Sequence, residues 1–228
     1  MTQAHQASKP SSESVTLGSP AKGAHVWRGP DMATRQNEWL HVLTDSELAD
    51  LETAVAKVEA RGLEILDITR DDFDLPVLAQ TLAKMRRDLL KGRGFAVLRG
   101  VPVSHFDRRA AAIAIWGLGH HLGDDAVSHN GKGHVLGHVK DIGGDYSKTR
   151  GYKPKAHMAF HCDQADVLAL GCIHDAKAGG EHLVCSAVAL YNEMMKRRPD
   201  LAVELGWKFY RQLSTEKHPG QKDPFIRQ

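Results

Sequence analysis

Apolar positions change spacing along this chain, and the change divides it into a helical first half and a strand-like middle. Residues 1–24 are rich in Ser, Gln, Ala, Pro and Gly and carry no apolar periodicity, so they are expected to form a disordered tail, with order beginning near Trp27. Thr44 and Glu47 stand three apart, the signature of a capping box. Leu48, Leu51, Val55 and Val58 follow at helical spacing, and Gly62 can close that helix. Residues 63–68 read as a short strand. A second helix is predicted over 75–91 and is ended by Gly92 and Gly94. Residues 95–98 then read as a short buried strand stopped by Gly100 and Pro102, and 106–122 as a third helix.

Residues 123–133 form a polar, Gly-rich loop, and after it the texture is different. Short apolar stretches at 134–139, 156–160, 167–173 and 182–185 are separated by Gly, Asp, Lys and Pro, which predicts strands and turns. Ser186 can cap a helix reaching about Arg198, and Pro199 and Asp200 start another that Gly206 ends. The last twenty-odd residues read as polar and irregular, and no internal repeat is found. Helices first and strands later point to an α+β or mainly β fold with a helical cover, rather than to alternating βαβ units.

Composition narrows the function classes. The chain has 228 residues, 42% hydrophobic and 25% charged, enough for one domain with a buried core. The net charge is +2 and the basic residues are dispersed, so no nucleic-acid partner is expected. No apolar run reaches membrane-spanning length and the N-terminus has no apolar signal region, so no membrane partner is expected either. Cys162, Cys172 and Cys185 are odd in number and form no C-x-x-C pair, which fits a reducing, cytoplasmic setting. Homo-oligomer formation is left open. Fourteen histidines is the unusual count.

Chemistry concentrates in Phe160-His161-Cys162-Asp163. On a strand, residues i and i+2 share a face, so His161 and Asp163 would converge while Cys162 turns away into packing. An imidazole and a carboxylate from one strand are two corners of the facial triad that holds non-haem Fe(II) and leaves positions open for co-substrate and oxygen. The surrounding pieces add weight: Ala176-Lys-Ala-Gly-Gly-Glu181 after the motif, and before it 92–102, 116–123 and 137–143. With these the chain resembles the TauD/TfdA-like family of Fe(II)/2-oxoglutarate-dependent dioxygenases, in the clavaminate-synthase-like group, from about Trp39 to Pro224.

The resemblance implies a double-stranded β-helix, or jelly-roll, core with flanking helices in a domain over 25–228. It implies Fe(II) held by His161 and Asp163, with 2-oxoglutarate and O2 as co-substrates and a small organic molecule hydroxylated as 2-oxoglutarate becomes succinate. Against the family pattern, the distal His ligand and the Arg that pairs with 2-oxoglutarate are expected beyond the last residue here, so the last strands are expected to be missing. His218 and Arg227 fall too early for those roles. His182 stands where relatives carry a hydroxyl residue, and can donate a hydrogen bond to 2-oxoglutarate. Asn130 and Arg150 are candidates for the substrate pocket, as are His129, His134 and Tyr152 around them. His120 and His121, late in a helix, read as structural. Two competing readings are a catalytically inactive relative with half a metal site, and a zinc protein using His157, His161, Asp163 and His174.

Overall fold

A computed structural model of the chain describes residues 18–124, 126, 134–140, 157–163 and 165–207, together with the backbone of 210–212 and 225–227. Two short helices, α1 (Gly29–Ala33) and α2 (Gln36–Trp39), lead into strand β1 (Leu40–Val42). Helix α3 (Asp45–Arg61) begins at the foreseen capping box: Thr44 Oγ1 accepts from the Glu47 amide, and Glu47 accepts from the Thr44 amide at 2.9 Å. Gly62 closes it at φ 65°, a left-handed conformation that costs glycine little. Leu51, Ala54, Val55 and Val58 form its buried face.

Residues 63–68 are not a strand. Ile65–Asp67 is a single 3-10 turn, because the backbone there finds side chains of a later helix instead of a neighbouring strand. Arg109 donates to the Leu63 carbonyl and Trp116 Nε1 to the Ile68 carbonyl at 3.1 Å. Helix α4 (Leu78–Lys91) starts three residues later than foreseen. Pro76 disfavours helical backbone at Leu75, and the free amides of Val77 and Leu78 are both taken by the Asp50 carboxylate on α3, each at 2.9 Å. An N-cap is thus supplied by a side chain 27 residues away.

Strand β2 (Val97–Arg99) lies parallel to β1, with Leu40 opposite Val97 and Val42 opposite Arg99. A parallel pair needs a long crossover, and α3 and α4 provide it. Helix α5 (Arg108–Leu122) is capped by Asp107 and packs on α3 and α4. Phe73, Leu75, Leu78, Leu82 and Ile113 are fully buried between these helices. Gly117 permits the closest approach: a Cβ there would fall 2.3 Å from the Phe73 ring.

Helices α6 (Ala187–Arg197) and α7 (Pro199–Glu204) start at Ser186 and Pro199 as the sequence reading has them. The end of the chain contains an antiparallel pair, β3 (Tyr210–Gln212) with β4 (Phe225–Arg227), where irregular structure was expected. A main-chain ladder needs no apolar alternation, so this pairing left little trace in the pattern.

The predicted strands at 134–139, 156–160, 167–173 and 182–185 are a correction. Among the described residues none of these stretches is paired in a sheet, and the only ladders are β1–β2 and β3–β4. A strand is held by its neighbour, and these stretches have no neighbouring strand among the described residues. Their apolar side chains are correspondingly open, with Leu183 72% exposed. A double-stranded β-helix is therefore not seen among the described residues. Residues 18–24, read as part of the tail, make defined contacts instead: Ala21 is buried, its main chain bonded to Asn192 on α6. Residues 1–17 lie outside the described part.

Candidate metal centre

His161 and Asp163 lie in a largely exposed stretch of chain that includes Gly171. Its backbone touches α5 at Gly171, where a Cβ would come 2.5 Å from Ile115 Cδ1. A glycine at this point lets the chain lie directly on the helix. Further on, Gly179 and Gly180 turn the chain with φ of 74° and 82°, and a Cβ at Gly180 would meet that of Ala176 at 3.3 Å. The turn leads through Glu181 and His182 to the N-cap of α6.

His161 and Asp163 are both exposed. The Nδ1 of His161 lies 2.8 Å from the Ala159 carbonyl oxygen. A carbonyl can only accept, so Nδ1 carries the proton, and the lone pair of the neutral ring sits on Nε2. Metal-binding imidazoles are oriented in the same way, the second nitrogen donating to a carbonyl or carboxylate. His161 is thus prepared to offer Nε2, and Asp163, two residues on, offers a carboxylate oxygen. This donor pair fits the iron chemistry expected of it, but only as half a site. Among the described residues no three His, Cys, Asp or Glu side chains come together as a metal-binding group.

That finding also corrects the zinc reading, since His157, His161, Asp163 and His174 are all described and are not gathered. Cys162 is exposed rather than packed, because the 157–163 segment is not the half-buried strand that would have turned it inward. Cys172 and Cys185 are exposed and free as well. The Cys172 thiol lies 3.5 Å from the His174 carbonyl and 3.6 Å from Asp175 Oδ1. Desolvation, and then the Asp175 carboxylate, push its pKa up, so it is a poor thiolate ligand at neutral pH.

His182 is exposed beyond the double-glycine turn. His134 is exposed too. Asn130 and Arg150, like His129, Tyr152 and His218, lie outside the described residues, and of Arg227 only the backbone is described. His121 works in packing: its Nε2 donates to the Phe73 carbonyl at 2.8 Å in the core. His120 sets its ring edge-on to Trp116, with centroids 5.1 Å apart. Sequence reasoning missed the Ala159 carbonyl, because a backbone acceptor leaves no mark in the sequence. The closeness of Gly171 to α5 did have a signal, a glycine inside an apolar run.

Comparison with known proteins adds to this geometry. Residues 59–228 match the family model described as taurine catabolism dioxygenase TauD, TfdA family. The chain is 32% identical over 188 residues to FR-33289 synthase of Streptomyces rubellomurinus, covering 81% of this chain and 55% of that protein. It is 25% identical over 195 residues to the taurine hydroxylase-like protein SAT17 of Stachybotrys chartarum, covering 82% of this chain and 50% of that one. The chain thus spans about half the length of the curated relatives it matches.

Proposed function

We propose that this chain, which belongs to the TauD/TfdA family, carries the iron-binding half of an Fe(II)/2-oxoglutarate-dependent dioxygenase that hydroxylates a small organic substrate. The observation that carries this reading is the hydrogen bond from His161 Nδ1–H to Ala159, which readies Nε2 for a metal, within the family-matched region.

In this reading His161 Nε2 and the Asp163 carboxylate would hold Fe(II), and the metal would supply the chemistry that joins 2-oxoglutarate and O2. With metal and co-substrate bound, one O2 and one 2-oxoglutarate are consumed, giving succinate and carbon dioxide as a substrate C–H becomes C–OH. The protein's part is placement. The Ala159 carbonyl fixes the ring of His161, and Gly171 sets the chain against α5. His182, beyond the Gly179-Gly180 turn, would be the hydrogen-bond donor to the co-substrate carboxylate. Asn130 and Arg150 would line the substrate pocket, and a jelly-roll core would complete the site. A reducing, cytoplasmic setting suits three exposed free thiols.

The test is anaerobic Fe(II) titration in the presence of 2-oxoglutarate, followed by the visible charge-transfer absorption of the chelated keto acid. We expect the absorption in the wild-type chain and its loss in His161→Ala. A folded sample with no absorption would leave the alternative, a catalytically inactive relative holding half a metal site. Absorption that survives His161→Ala would remove His161 from the ligand set.

A further inference from the structure

Helices α6 and α7 pack closely on each other, but among the described residues their polar side-chain contacts with the rest of the chain run to one segment, residues 18–28. Asn192 reads the main chain of Ala21 from both sides: its Oδ1 accepts from the Ala21 amide at 2.7 Å and its Nδ2 donates to the Ala21 carbonyl at 2.8 Å. Ser186 has a double task. Its oxygen caps α6 by accepting from the Ala189 amide at 2.9 Å, while its hydroxyl proton goes to the His25 carbonyl. Tyr191 accepts from the Gly18 amide at 3.1 Å, and Arg28 pairs with Glu193 at 2.9 Å. Gly18 also lies against α7, its position for a Cβ being 3.8 Å from Val203 Cγ2.

The same segment is also anchored elsewhere, at Trp27. Trp27 is buried; its Nε1 donates to the Arg93 carbonyl at 2.8 Å, and its ring meets Phe95 with centroids 5.0 Å apart. Phe95 in turn contacts Trp39. Residues 18–28 therefore touch α6 and α7 along their length and are fixed at Trp27 to the layer that holds β2.

We infer that residues 18–28 are a clasp that docks the α6–α7 pair onto the α3–α5 layer, and that α6–α7 opens as a unit when the clasp lets go. A unit held mainly by a few polar bonds opens at lower free energy than the core it rests on. The backbone recognition by Asn192 makes the clasp depend on main-chain geometry at Ala21.

Amide hydrogen exchange on the full chain tests this with two variants placed on opposite sides of the contact. Asn192→Leu removes both bonds from the helix side. Ala21→Pro removes the amide from the clasp side without altering a helix residue. We expect each to speed exchange of the α6 amides by about tenfold, as loss of such hydrogen bonds should, while the α3 and α5 amides keep wild-type rates. The double variant should add little to either single one, since both break the same contact. Unchanged α6 exchange overturns the clasp. Equal acceleration of α3 and α5 also overturns it, because α6–α7 would then unfold only with the core. Slow α3 and α5 amides in the same samples show that each variant has folded.

Discussion

Thr81 on α4 donates its hydroxyl proton to Glu47 Oε1 at 2.6 Å, across the interface between the second and first long helices. The other oxygen of the same buried carboxylate accepts from the Thr44 amide at 2.9 Å and lies 2.8 Å from His41 Nε2 on β1. One side chain thus closes a helix cap and ties together α3, α4 and β1. Glu47→Ala leaves these partners without an acceptor and should cost on the order of 2–3 kcal/mol. Thr81→Val should cost about 1 kcal/mol, and the two losses should not add, because they share a bond. Urea denaturation of the singles and the double checks both statements.

Acid sensitivity follows from the same carboxylate. Burial by itself raises the pKa of Glu47, but the bonds from Thr44, Thr81 and His41 together outweigh it and hold the value down at about 2. Asp72, bonded by the hydroxyl and amide of Thr69 and by Arg61, is also held at about 2. A folded-state pKa below the unfolded one means that stability is present above the unfolded value and is lost as pH falls towards the folded one. Stability should therefore drop between about pH 4.5 and pH 2, spanning the ordinary and lowered values of Glu47. Chemical denaturation across that range should show the drop, and Glu47→Gln should flatten it.

Two glycines of α5 make a matched pair. A Cβ at Gly117 would meet the buried Phe73 ring at 2.3 Å, whereas a Cβ at Gly119 meets nothing within 4 Å. Gly117→Ala should destabilise by about 1–3 kcal/mol through overpacking. Gly119→Ala should stabilise by about 0.5–1 kcal/mol through helix propensity. Thermal melts of the two variants, of opposite sign, would establish that the α5–Phe73 contact is as close as described. Equal effects would contradict it.

Cys172 should alkylate slowly for an exposed thiol, because desolvation and Asp175 both disfavour its thiolate. Asp175→Asn should quicken the reaction only in part, since desolvation is the larger cause. Time-resolved iodoacetamide labelling read by mass spectrometry, peptide by peptide, measures this. No change on Asp175→Asn would remove the carboxylate from the account.

The candidate site divides by the range of its interactions. His161 and Asp163 are two residues apart, so the candidate pair could be picked out from the sequence. The acceptor that orients His161 is a backbone carbonyl and could not. Any further donor to the proposed site would lie far from this pair in the sequence, and no spacing rule reaches that far.

The same division runs through the fold. The sequence by itself determined the capped start of α3 at Thr44, its glycine end at Gly62, and the starts of α6 and α7, because each depends on bonds that close within about four residues. Only the tertiary structure decided that α4 begins where Asp50 can cap it, that 63–68 turns rather than extends because α5 takes its carbonyls, and that residues 18–24 lie on Asn192 and Tyr191 instead of trailing free. In each case the deciding partner lies tens of residues or more away, and local preference is weak enough for one well-placed donor or acceptor to override it.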